Sequence, residues 1–220
     1  KIRVPQTQLD LGIETLKLIR EEVGTDLEIM VDLNQAWRMP GDTRKSIDRK
    51  TAMNFVDAAV DYGVYWIEEP LPMEDMEGLK SLRGRGTRIA GGEMVRTIHE
   101  ILTLVDNDAL DVIQADVVLA AGMDHSREIA RRANQRGHIF TPHTWSNGYG
   151  LAANLHVTAV NTLTTATLKL QHSTDDAVWA DLASFTNFTA VTSETLDGTG
   201  TVNRYRRANL STLTGTSVTF

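Results

Sequence analysis

The placement of polar residues constrains the fold more than any other feature of this sequence. Short β-rich runs recur at Lys1–Val4, Leu27–Leu33, Val64–Glu69, Arg88–Glu93, Asp111–Asp116, His138–His143 and Thr167–Gln171. Their last polar side chains are Arg3, Asp32, Glu68 with Glu69, Glu93, Asp116, His143 and Gln171. Between these runs the period is helical. Leu9, Ile13, Leu16, Ile19 and Val23 recur three or four apart before Gly24, and similar patterns surround Met53, Val56 and Val60 and fill Ile98–Val105 and Met123–Asn134. Strand and helix in alternation predict a parallel sheet. In such a sheet the carboxyl ends of the strands gather side chains at one opening. From Asp32 to Gln171 the strand-end groups follow at steps of 23 to 36 residues, one βα unit each. A doubly wound sheet does not aim so many at one centre; a barrel does.

Eight strands close such a barrel, and seven can be read. The first readable strand is therefore expected to be the second stave of a longer chain, because a barrel short of a stave leaves two edges unpaired. The expected organisation is a barrel over residues 1–183 and a tail over residues 184–220. In that tail ten of 37 residues are threonine and the helical period lapses; threonine favours strands, so an irregular or β tail packed on the barrel or a neighbouring domain is expected.

Composition removes several function classes. With 22 basic against 29 acidic residues, a net charge of −7 and no basic stripe, duplex nucleic acid is not an expected partner. The chain has no cysteine. That excludes disulfide frameworks, thiolate zinc sites and cysteine nucleophiles, and it fits a reducing, cytoplasmic setting. No apolar run approaches the roughly 20 residues that span a bilayer, so no membrane partner is expected.

Asp32, Glu68 and Glu93 stand at successive strand ends. Any one alone reads more simply as a helix cap or an arginine partner, but three converging carboxylates would raise one another's pKa without a cation. A hard divalent ion keeps all three ionised, and oxygen ligands suit Mg²⁺. The next two strands end on Asp116 and His143. An aspartate that accepts from one imidazole nitrogen fixes the tautomer and raises the basicity of the other, which makes a general base near neutral pH.

Lys1-Ile2-Arg3, Asp32-Leu33-Asn34, Ile67-Glu68-Glu69-Pro70, Gly91-Gly92-Glu93, Gln114-Ala115-Asp116 and Thr141-Pro142-His143-Thr144-Trp145 together resemble the barrel of the enolase superfamily, in its mandelate racemase and muconate lactonizing enzyme branch. The resemblance covers roughly residues 1 to 180. It implies a TIM-type modified (β/α)7β barrel, here without its first strand, and a separate capping domain built mainly from an N-terminal region and completed by the C-terminal tail. It further implies Mg²⁺ on Asp32, Glu68 and Glu93 and an Asp116–His143 dyad as base. Homo-oligomeric assembly is also expected.

A proton beside a carboxylate is too weakly acidic for histidine to remove unaided, so the enediolate must be stabilised by several kcal/mol. Magnesium and the Lys1 ammonium would share that work. Reprotonation on the opposite face then racemises, whereas loss of a β-hydroxyl dehydrates. Arg3 stands where relatives often carry a second lysine, and a guanidinium does not serve as a base; this favours dehydration of a sugar acid. The polar lining of Asn34, Gln171 and Arg3 suits a polyol, and Trp145 is a further candidate to line the pocket. Gln171 replaces the glutamate of many relatives and cannot deliver a proton. Two alternatives follow: a racemase or epimerase of a 2-hydroxy acid with Lys1 as the opposite base, or a non-catalytic metal-binding barrel. Asn34 and Gln35 could bind substrate or orient Asp32, and Glu69 is expected on the other side of its strand.

Overall fold

Strand and helix alternate as β1 (Ile2–Arg3), α1 (Leu9–Val23), β2 (Ile29–Asp32), α2 (Arg49–Val60), β3 (Val64–Glu68), α3 (Met76–Leu82), β4 (Arg88–Gly91), α4 (Ile98–Asp106), β5 (Val112–Ile113), α5 (Met123–Gln135) and β6 (Ile139–Phe140). The computed structural model describes residues 1–37, 41, 43–120, 122–144, 150, 154, 163–173, 180–184 and 205–215. Strands β1 to β6 form one sheet in sequence order, every neighbouring pair parallel. This is the wall of a TIM-type barrel, with β1 and β6 as its edges among the described residues.

Each strand divides its side chains between two environments, as a period of two requires. Val31, Ile67, Ile89 and Ile113 face outward and pack with Leu16, Val56, Leu79, Ile101 and Ile129 from the five helices. Trp66, Ala90 and Val112 form a separate inner cluster joined by Met30 and Ile139. Burial of such aliphatic side chains contributes about 1.5–3 kcal/mol each, so the helical jacket holds the wall while the inner cluster forms a floor. Register partners run Arg3 to Asp32 to Glu68 to Ala90 to Val112 to Ile139. The polar strand ends therefore rise from the same inner face as that floor.

Local signals fix the helix ends. Asp48 caps α2 by accepting from the Thr51 amide at 2.7 Å. Thr97 caps α4: its hydroxyl accepts from the Glu100 amide at 3.3 Å and donates to the Glu100 carboxylate at 2.8 Å. Helix α3 is not anticipated by the sequence period. It has only seven residues, and Asp75, accepting from Gly78 and held by Arg49, starts it.

One strand departs from expectation. Thr167–Gln171 lies inside β7 (Leu163–Ser173), which pairs antiparallel with β8 (Ala180–Ser184) and β9 (Tyr205–Gly215) in a separate three-stranded sheet. The reason is visible in the pattern. Leu168, Lys169, Leu170 and Gln171 alternate apolar with polar, the mark of a strand with one wetted face, whereas Val64-Tyr65-Trp66-Ile67 is nearly continuous in apolar character, as a buried parallel strand is. The sheet also draws residues from both sides of position 183.

Helix α1 meets β1 at a point of close approach. Gly12 is buried, and a Cβ there would stand 2.5 Å from Val4 Cγ1. Alanine is the better helix former by about 1 kcal/mol, yet Gly12→Ala is expected to cost about 1–2 kcal/mol net through overpacking of a stiff β-branched neighbour. Adding Val4→Ala should recover part of that loss. Urea unfolding checks this, and a Gly12→Ala chain as stable as the parent contradicts the contact.

Candidate active site

Asp32 and Glu68 are register partners on β2 and β3, and Glu93 follows β4 after the left-handed turn at Gly92, φ 109°. All three are buried, at 2%, 0% and 8% exposure. Buried carboxylates require partners, and the residue just before β1 supplies the first. The Lys1 ammonium lies 2.6 Å from Glu68 Oε1 and 3.4 Å from Asp32 Oδ2. Arg3, largely exposed, brings its guanidinium only to 3.9 Å from the same Asp32 oxygen. Asn34, at φ 48°, folds back so that its backbone N–H donates to Asp32 Oδ1 at 2.9 Å and its amide donates to the same atom. The second oxygen of Glu68, Oε2, accepts from Gln114 Nε2 at 3.0 Å and from Trp66 Nε1 at 3.3 Å.

Past the ends of β5 and β6 stand Asp116 and His143. Asp116 is fully buried; its Oδ2 lies 3.0 Å from His143 Nδ1 and its Oδ1 accepts from the Val118 amide at 2.8 Å. An ionised Asp116 places the ring proton on Nδ1. The other ring nitrogen, Nε2, lies 3.2 Å from Glu93 Oε2. One imidazole thus joins the aspartate on one side to the carboxylate cup on the other.

The electrostatics follow from this crowding. Burial, and next the charge of Glu68, raise the Asp32 carboxyl above its ordinary value against the pull of Lys1. Glu93 is raised by burial, with Glu68 and Asp32 adding to it and His143 opposing. Burial alone would lower both the Lys1 ammonium and the His143 imidazolium. Lys1 is instead raised by its hydrogen bond to Glu68 and by the surrounding acids, and His143 by its hydrogen bond to Asp116 and by Glu93.

Among the described residues, no three His, Asp or Glu side chains are already gathered into a metal-binding group. The oxygens turn instead to Lys1 and His143. The donor chemistry still fits a hard divalent cation: three buried carboxylates from adjacent strand ends, with Glu68 and Asp32 both acting on Glu93. The cavity of about 410 Å³ among Met73, Met76, Met94 and Arg96 is lined by none of these residues.

The other sequence expectations separate. Asn34 orients Asp32. Gln35 ties down its own loop, donating to the Leu33 carbonyl and accepting from the Ile47 amide. Trp145 lies outside the described residues. Gln171 sits in β7, its backbone paired with Asp181 and Arg207, so the strand-end reasoning that placed it beside the acids does not apply. Glu69 does not simply alternate outward: φ of 46° turns it, and its fully buried carboxyl is raised to about 9, first by burial and then by Glu93, Asp32 and Glu68. Two residues were given no role by the sequence reading. Gln114 could have been found, because it lies two positions past inward-facing Val112. Asn154, whose Oδ1 accepts from the Val117 amide at 3.0 Å and whose Nδ2 faces Asp116 Oδ1 at 3.5 Å, carries no signal in its own segment.

Residues 1–201 match the model of the enolase C-terminal domain-like family. The L-talarate/galactarate dehydratase of Salmonella typhimurium is 31% identical over 160 residues, 72% of this chain and 36% of its own length. The D-galactarolactone cycloisomerase of Agrobacterium fabrum is 26% identical over 70% of this chain and 40% of its own. A hydrophobic dipeptide epimerase of Enterococcus faecalis is 31% identical over 59% of this chain and 34% of its own. The chain thus spans well under half the length of the curated relatives it matches. Among solved structures, a Bordetella bronchiseptica protein named for mandelate racemase, solved with 2-oxoglutarate and phosphate, superposes with a TM-score of 0.64 at 34% identity, over 71% of this chain and 40% of that one. The L-talarate dehydratase of Polaromonas, solved with Mg and L-glucarate, gives 0.59 at 31% identity, over 69% and 40%.

Glu69 generates a prediction independent of any reaction. Its folded-state carboxyl, raised to about 9 from an ordinary 4.5, keeps a proton that the unfolded chain releases. Stability is therefore lost as pH climbs between those two values. Denaturant unfolding with chelator present should show that decline in the parent chain and a flatter profile in Glu69→Gln. Parallel profiles contradict it.

Proposed function

The chain belongs to the enolase C-terminal domain-like family, and from that membership we propose that it dehydrates a sugar acid by removing the proton α to the carboxylate and expelling the β-hydroxyl. The observation that carries this reading is the placement of His143, with Nδ1 on buried Asp116 and Nε2 facing the acids. That is the arrangement of an oriented general base next to a charged cup.

Asp32, Glu68 and Glu93 would hold the metal, and magnesium bound there supplies positive charge against the negative charge that develops on the substrate carboxylate. His143 Nε2 takes the α-proton, and the C–H electron pair moves into the carboxylate to give an enediolate. Asp116 holds the ring in the tautomer that can accept, and stabilises the imidazolium that results. Lys1 presents its ammonium to the same carboxylate oxygens. The enediolate electron pair then expels the β-hydroxyl, which leaves as water with a proton from His143, and the enol tautomerises to a 2-keto acid.

One feature favours dehydration over racemisation: Arg3 is a guanidinium and cannot serve as a base. Relatives named for talarate, galactarate and arabinonate dehydration support a polyol acid as substrate, whereas the dipeptide epimerase marks the competing outcome.

Incubating the full chain with a sugar-acid panel in D₂O tests the reading: a 2-keto acid product supports it, while α-deuteration with recovery of a stereoisomer supports epimerisation. His143→Asn should reduce α-proton exchange by at least 10²-fold and leave Mg²⁺ affinity nearly intact; exchange at the parent rate removes His143 from the mechanism. Glu93→Gln should weaken Mg²⁺ binding by about 10-fold or more in calorimetry, and an unchanged affinity dismisses it as a ligand.

A further inference from the structure

Glu68, the most deeply buried of the three acids, is held unevenly. Its Oε2 accepts two N–H donors from neutral groups, Trp66 Nε1 at 3.3 Å and Gln114 Nε2 at 3.0 Å, while among the described residues Oε1 faces the ammonium of Lys1 alone. We propose that Trp66 and Gln114 are positioning residues that lock the Glu68 carboxylate by Oε2 and leave Oε1 as the single oxygen offered to the cation of the cup. This deepens the reading of the three acids as metal ligands, and it rests on that reading.

The geometry that permits the lock is specific. Trp66 lies two residues before Glu68 on the same inner face of β3. Gln114 belongs past β5, two strands away, so its side chain must cross β4 to reach Glu68. At that crossing β4 places Ala90, register partner of both Glu68 and Val112, with a side chain too small to obstruct the path. The donor must also be neutral. An acid at position 114 would repel Glu68, and a cation there would compete with the ion, whereas an amide N–H fixes direction without adding charge. Glu68 is fully buried, so losing either donor leaves Oε2 short of a partner inside the fold. Outer groups that hold a ligating carboxylate in this way typically tune metal affinity by 10- to 100-fold.

Calorimetric Mg²⁺ binding and thermal unfolding of the full chain test this together. Gln114→Met keeps length and removes the donor; Trp66→Phe keeps a ring and removes the N–H. Each is expected to raise the Mg²⁺ dissociation constant by about 10-fold, with Gln114→Met unfolding within a few degrees of the parent. Ala90→Leu, which closes the crossing, should mimic Gln114→Met in affinity. If Gln114→Met does not fold, Gln114→Asn, which keeps the amide but withdraws it, takes its place. Glu68→Gln is the control for the underlying reading, because unchanged affinity there means that Glu68 is not a ligand. Loss of affinity in Glu68→Gln with parental affinity in both Gln114→Met and Trp66→Phe overturns the positioning role alone.

Discussion

Burying three carboxylates on neighbouring strands is the constraint from which the rest follows. An isolated buried carboxylate costs several kcal/mol to desolvate, and Asp32, Glu68 and Glu93 are all nearly free of solvent. Opposite charge must therefore be built in beside them. Lys1 provides it for Glu68 and Asp32, and His143 faces Glu93. Even the β1 edge, only two residues of ladder, is thus tied to the chemistry: what seats Lys1 is the pairing of β1 with β2 and the packing of α1 onto Val4 at Gly12.

The same alternation that builds the core builds the cup. Outward residues of each strand meet the helices, and inward residues form an apolar floor of Trp66, Ala90 and Val112 below the polar rim. Dryness in the floor strengthens every interaction above it, because a low local dielectric magnifies both the cost of an unpaired charge and the value of a pairing. Residues close to the acids take up left-handed backbone, Asn34, Glu69 and Gly92. Two of these are not glycine, and non-glycine residues in that region concentrate where surrounding structure holds them for a purpose. At Asn34 the purpose is evident: the turn returns both its amides to Asp32.

Much of this arrangement was legible in the sequence because parallel strands leave a simple signature. Polar residues closing apolar runs at βα spacing pointed to Asp32, Glu68, Glu93, Asp116 and His143; the structure sets His143 against Asp116 and also against Glu93. Less legible were interactions that depend on crossing or turning rather than on period. Gln114 reaches Glu68 from two strands away, Glu69 is redirected by one positive φ, and Asn154 comes to Asp116 with no signal in the sequence around it. Helix α3 is too short for its period to register. Thr167–Gln171 shows the opposite error: a run of strand character at the expected interval was assigned to the barrel, although its alternating apolar and polar residues marked an antiparallel partner.

The metal role proposed for this site would couple it to folding, since a ligand that binds only the folded chain raises its stability by mass action. The most direct measurement is the thermal unfolding midpoint of the full chain as Mg²⁺ is raised from chelated solution to about 10 mM, a range chosen to exceed a weak site's dissociation constant many-fold. A shared ligand set in Asp32, Glu68 and Glu93 predicts a midpoint that climbs steadily with the logarithm of magnesium concentration and stops climbing when Asp32 is replaced by alanine. A midpoint indifferent to magnesium in the parent chain would contradict it.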